Sequence, residues 1–233
     1  MKKITLILVL LFGYFTANSQ VLISLLLGDK LNSDGLEFGL EGGLNWSTIS
    51  GFESEQYSRS FNLGFYFDIR IKKQWSLYTG TLVKSKSGID QFSVNDLTLL
   101  NARTYSETGE YKQVVNAFLV PVLLKLKIKK LFYVEAGTQL GLTYDSWIEY
   151  NSNNNGVEGR IREGNKDQFN KFDIGFMGGA GFKLMEDKGM TFGIKYYHGF
   201  LDVYKNIANT KNSSIYLKVN IPIGANKKKK EVE

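Results

Sequence analysis

The sequence predicts an all-β protein, an eight-stranded antiparallel transmembrane β-barrel with short periplasmic turns and long external loops. Three observations carry that expectation. Apolar residues recur at every second position in runs long enough to cross a bilayer, the connections alternate short and long, and glycines gather on one face. The 233 residues include no Cys and a single His, His198, which excludes a disulfide scaffold, a thiolate zinc site, a Cys nucleophile and any site needing two imidazoles. The formal charge is +6, but Lys227, Lys228, Lys229 and Lys230 sit in one tail, so the balance says little about the fold.

The chain opens with a targeting segment. Lys2 and Lys3 form a positive n-region, residues 4–15 a largely apolar h-region, and Ala17-Asn18-Ser19 the small-x-small pattern of a signal-peptidase site. Residues 1–19 therefore read as a cleaved signal peptide, their apolar stretch falling short of the ~20 residues of a membrane helix. A periplasmic N-terminal segment (20–35) follows, with an apolar stretch at 21–30 that fits an interfacial helix, a plug or an added edge strand. The barrel is expected over 36–224 and a basic tail over 225–233.

In the first strand Leu36, Phe38, Leu40, Leu44 and Trp46 alternate with Glu37, Gly39, Glu41, Gly43 and Asn45. The second, 61–72, alternates strictly and matches the ~9–11 residues of a tilted membrane strand. The third sets Trp75, Leu77 and Val83 against Ser76, Tyr78 and Lys84. The fourth covers 117–128, the fifth 132–144, the sixth 172–184, the seventh 190–200 and the eighth 215–223. None reads as an amphipathic helix.

Tight turns are expected at Lys72-Lys73-Gln74, at Lys129-Lys130 and at Glu186-Asp187-Lys188-Gly189. The remaining connections, about 47–60, 85–113, 145–170 and 201–212, are long and face the exterior. Gly39, Gly64, Gly80, Gly137, Gly181 and Gly193 are among the glycines on the inner face, where a small barrel is crowded. Trp46, Trp75, Tyr144 and Trp147 stand at strand ends as interfacial aromatics.

The motifs at 38–51, 61–87, 120–128, 131–142 and 170–182 resemble the PorT-like outer-membrane β-barrel family (porin family proteins) of the Bacteroidota. The resemblance spans nearly all of the mature chain. It implies an eight-stranded barrel in the outer membrane, and its name is linked to a component of a secretion and gliding apparatus. The sequence departs from the usual barrel pattern by ending its last strand at Ile223-Gly224 without a terminal aromatic.

No catalytic, cofactor-binding or metal site is expected. His198, Asp202, Ser213 and Ser214 gather near one outer rim, which admits a hydrolase or acyltransferase, but His198 shares parity with Ile194 and Tyr196 and so faces the lipid interface. Residues 151–156 only superficially match a calcium loop, because the twelfth position is Arg162 rather than Glu, and a flexible external tip is expected there.

The candidate site is the lumen. Its inward charges are Glu37, Glu41, Asp68, Glu135 and Asp173 against Arg70, Lys84, Lys125, Lys127, Lys183, Lys195 and Lys218. Eight strands leave room only for side chains, so these charges must pair. The expected function is a non-enzymatic envelope protein acting through loops or periplasmic parts in envelope structure, adhesion or assembly. A narrow, anion-leaning channel is the alternative. The expected partners are outer-membrane lipid and envelope proteins meeting the loops or the basic tail, and not nucleic acid.

Overall fold

The computed structural model describes residues 35–54, 56–129, 131–154, 157–184 and 189–223. The signal peptide, nearly all of the N-terminal segment, the basic tail and most of the 186–189 turn lie outside the described residues.

The elements are β1 (Leu36–Ile49), β2 (Gln56–Lys72), β3 (Trp75–Lys84), β4 (Lys86–Asp90), the helix α1 (Val94–Leu99), β5 (Gly109–Ile128), β6 (Phe132–Asn154), β7 (Val157–Gly164), a 3-10 turn (Lys166–Gln168), β8 (Phe172–Lys183), β9 (Thr191–Gly199) and β10 (Asn212–Pro222). Eight of these strands close a ring in the order β1, β2, β3, β5, β6, β8, β9, β10, with β10 pairing back onto β1. Every pairing in the ring is antiparallel, and Leu44 opposite Leu217 lies on the closing seam.

Period-two alternation explains why the ring closes with its apolar face outward. Leu124, Phe132, Phe176, Ile194 and Leu217 are exposed on the outside, while Tyr66, Tyr78, Leu123 and Met177 are buried within. In water so large an apolar surface would drive aggregation; in a bilayer it is the lipid contact. The inner glycines make the crowding possible. A Cβ at Gly181 or at Gly193 would collide with the Tyr133 hydroxyl, so the Tyr133 ring occupies the space those side chains vacate.

The strands do not stop at the membrane. β5 has 20 residues and β6 has 23, about twice the ~9–11 that a membrane strand needs. Several connections expected to be loops are therefore partly strand. Over 47–60, β1 continues to Ile49 and β2 begins at Gln56, leaving only a short loop. Over 85–113 the chain forms β4, α1 and the start of β5, and over 145–170 it forms the β6–β7 hairpin and the 3-10 turn. Residues 151–154 belong to β6, not to a loose tip. Only the stretch between β9 and β10 keeps its irregular form.

These extensions fold into a cap with a core of its own. Ile49, Phe52, Ile89, Phe92, Leu97, Leu100, Tyr111, Val115, Ile148, Tyr150, Phe169, Val203 and Tyr204 form one buried cluster, contributed by all four external connections. The helix α1, which no apolar period announced, is short and held by a capping box: Ser93 Oγ accepts from Asp96 N, and Ser93 N donates to the Asp96 carboxylate. The second cluster, Tyr66, Tyr78, Leu123, Met177, Tyr197 and Tyr216, fills the barrel below.

Candidate functional site

The lumen is built in layers from inward positions of the eight ring strands. At its centre three ion pairs cross the interior. Lys195 lies 2.6 Å from Glu41, Lys125 2.8 Å from Asp68 and Lys218 2.5 Å from Glu135. All six side chains are almost wholly buried. Isolated charges in so confined a space would be prohibitively costly, so each ammonium takes a carboxylate from another strand. Lys125 and Glu135 are also direct cross-strand partners of β5 and β6, which sets both at one depth.

Tyrosines bind these pairs into a single plug. The Tyr78 hydroxyl donates to Glu41 and accepts from Asn220 Nδ2 at 3.1 Å. The Lys218 ammonium stands 3.9 Å from the Tyr78 ring centroid, and the Lys125 ammonium 4.2 Å from that of Tyr133. Both are cation–π contacts, favoured where water is excluded. Toward the periplasm, Tyr66 donates to Glu37 at 2.8 Å and Lys183 pairs with Glu37 at 3.4 Å. Lys127 is half-buried there and Arg70 is exposed at the mouth. Toward the exterior, Asp173 accepts from Asn212 at 2.7 Å.

Lys84 is placed elsewhere. A register shift makes Leu63 face Lys84 while the next pair is Gly64 with Leu82, so Val83 is the extra residue of a β-bulge. Leu63 points to lipid, and Lys84, opposite it, is exposed on the outer wall instead of entering the lumen. Strict parity cannot anticipate this, because one inserted residue inverts every side chain beyond it.

At the outer rim, His198 Nδ1 lies 3.0 Å from Ser213 Oγ, and both belong to cross-strand partners. Asp202 does not join them; it pairs with Lys211 at 3.0 Å. Ser214 is buried and faces inward. The rim residues therefore assemble a Ser–His contact and no triad. Among the described residues no group of three His, Cys, Asp or Glu side chains is placed to hold a metal ion.

Two polar centres in the cap were not singled out from the sequence. Gln113 is fully buried; it accepts from Tyr204 Oη at 2.8 Å and from Asn165 Nδ2 at 2.8 Å, and donates to the Trp147 carbonyl at 3.0 Å. It thereby ties β5, β6 and two connections together. Burial also pushes the Tyr204 hydroxyl above its ordinary range.

The other centre is Glu149, which gathers Arg162 at 2.8 Å, Lys112 at 3.2 Å and Arg160 at 3.6 Å. Burial pushes its carboxyl up, but hydrogen bonds from Arg162, Trp147 and Lys112 outweigh that and hold it down at about 2. A signal for this cluster does exist in the sequence. Glu158, Arg160 and Arg162 alternate with Gly159 and Ile161, the period of the strand that carries them.

The family described as "Outer membrane protein beta-barrel domain" matches residues 24–205. No curated protein matches the sequence. Among solved structures, the chain is similar to Ail, the attachment invasion locus protein of Yersinia pestis, in complex with the heparin analogue sucrose octasulfate. Identity is 10%, the TM-score 0.46, and the match covers 82% of this chain and 100% of that one. It is also similar to Neisserial surface protein A, at 8% identity and a TM-score of 0.39, over 81% of this chain and 97% of that one. The outer membrane protein OprG from Pseudomonas aeruginosa aligns at 12% identity and a TM-score of 0.38, over 81% and 93% respectively.

Proposed function

The chain belongs to the outer membrane protein beta-barrel domain family, and from that membership we propose a non-enzymatic barrel with a closed lumen that works through its folded outer cap. Its setting is the outer membrane, reached in this reading through a cleaved signal peptide. Its work is in envelope structure, adhesion or assembly, with the cap and the basic tail as the surfaces that meet protein partners. The narrower resemblance to PorT-like proteins, and with it a place in a secretion or gliding apparatus, rests on sequence motifs.

The observation that carries this reading is the triple ion pair. Lys125, Lys195 and Lys218 are the residues an anion path would need, and each is already committed to a carboxylate and buried to 4% exposure or less. A wide aqueous channel needs ~16–18 strands, twice the ring seen here. Above the plug, the cap core closes the mouth with apolar side chains.

Planar-bilayer conductance of the refolded full chain tests it, with a heat-shift gel confirming the folded barrel. Silence is expected. Discrete, reproducible steps with an anion bias would overturn the closed lumen and favour the narrow channel. A rim hydrolase has only the His198–Ser213 contact in its favour, and lipid or peptide turnover lost on His198→Ala would revive it.

A further inference from the structure

Basic side chains crowd the outward wall of the barrel where the apolar surface ends. Trp46 on β1 and Trp147 on β6 stand toward the outer ends of their strands, and Phe118 on β5 packs 4.8 Å from Tyr144 on β6. Arg59 is the cross-strand partner of Trp46, its guanidinium 5.9 Å from the indole. Arg162 lies 5.0 Å from the ring of Trp147. Both arginines thus lie within cation–π range of an indole.

Lys84 and Lys86 join them. The bulge at Val83 turns Lys84 outward, and Ser85 faces inward to donate to Asn62, so Lys86 also points out. Both lysines are exposed. Among the described residues, no carboxylate lies within ion-pair distance of Arg59, Lys84 or Lys86. On the far flank Glu149, 5% exposed, holds Lys112, Arg160 and Arg162 together on one sheet face. One buried carboxylate organises three cations, and with Glu110 beside them the group keeps a net positive charge. Glu110 is exposed and lines the same hollow as Lys112 and Arg160, and Asp145 is exposed opposite Asn116.

We propose that this basic wall seats the phosphate-bearing headgroups of the glycolipid in the outer leaflet, with Arg59, Lys84 and Lys86 forming one cradle and Lys112, Arg160 and Arg162 the other. Successive outward residues are ~7 Å apart along a strand, so Arg59, level with Trp46, and Arg162, one step beyond Trp147, stand at headgroup depth, with Lys84 on the membrane side of Arg59. Arginine matches phosphate through its planar fork, and paired lysines supply point charges. Lys84 fits this role because the bulge interrupts a ladder and delivers a cation to the lipid face. The proposal rests on the barrel's place in the outer membrane and gives chemistry to its contact with lipid.

The test uses the refolded full chain, with the heat-shift gel and insertion into phosphatidylcholine vesicles checked first and separately. Immobilised protein is washed with detergent micelles carrying diphosphorylated lipid A or the same lipid after dephosphorylation, and retained lipid is quantified. The phosphorylated form is expected to be retained about tenfold better. The combined variants R59Q/K84Q/K86Q and K112Q/R160Q/R162Q should each reduce that preference at least about threefold, while Lys205→Gln in the cap leaves it intact. Equal retention of both lipids overturns the proposal, as does full preference in both variants or an equal loss in Lys205→Gln. Should a triple variant fail to fold, Lys84→Gln and Arg160→Gln alone carry the same readout. Failure to insert into vesicles would instead count against the membrane placement.

Discussion

Lys218 and Glu135 show what a single side chain does in this lumen. Each is buried, and each is the other's charge partner at 2.5 Å. Lys218→Met takes from Glu135 its ion-pair partner in the interior, at a cost of about 3–5 kcal/mol. The urea midpoint of the protein in vesicles should fall accordingly, and adding Glu135→Leu should recover most of the loss. An unchanged midpoint in the single variant would mean that the pair contributes nothing. Glu149, outside the membrane, makes a different prediction. Its carboxyl is held at about 2, below the ordinary 4.5, so the folded cap binds that proton more weakly than the unfolded chain does. The stability it contributes is therefore complete above about pH 4.5 and lost as pH falls toward 2. In a Trp46→Phe, Trp75→Phe background, Trp147 emission should titrate in that window, because Trp147 Nε1 donates to Glu149 at 3.3 Å. Glu149→Gln should abolish the step.

At the scale of elements, two carboxylates link α1 to the loop after β1: Glu53 of the loop accepts from Asn95 Nδ2 at 2.7 Å and from Ser93 Oγ at 2.8 Å, and Asp96 of the helix reaches back. Asp96 accepts from the backbone amides of Glu53 at 2.8 Å and Ser54 at 3.1 Å while it caps its own helix. Asp96→Ala strands those amides at about 1–3 kcal/mol each where they are shielded from water. Protease nicking near residues 50–55 should accelerate severalfold in the folded protein, and an unchanged rate would show that the Glu53 contacts and the apolar packing hold the loop without Asp96. These linkages also mark where the sequence stops being legible. The membrane strands could be read because lipid outside and a crowded lumen inside impose period two on every residue, and the ring strands follow that pattern. Most of the inward charges could be read for the same reason. The cap could not, because its strands have water on one side and a core assembled from distant connections on the other. Val114 and Val115 are adjacent and both buried, which breaks alternation, and the Asn116–Ala117 register shift breaks it again. Lys84 was misplaced by a single bulged residue, and α1 is too short to show a helical period.

The whole molecule is two stacked cores on continuous strands. The lower one is pinned by lipid outside and ion pairs inside; the upper one is held in water by its apolar contacts and by the Gln113 and Asp96 hydrogen bonds, with β5 and β6 running through both. A small water-facing core lies at the low end of the stability scale and opens before the unit that supports it. Cap and barrel should therefore unfold in two steps, with protease resistance of residues 86–107 lost at lower urea than the heat-shift of the barrel. Phe52 separates them. Its ring packs edge-on against Phe92 at 5.2 Å and against Tyr204 at 5.5 Å, joining three connections and touching no lumen residue of the lower cluster. Phe52→Ala should cost about 3–5 kcal/mol, all of it in the cap transition. The proteolysis midpoint should fall while the gel-shift midpoint stays in place. If both midpoints move together, the cap is an inseparable part of the barrel's cooperative unit, and partners that engage it would act on the stability of the whole.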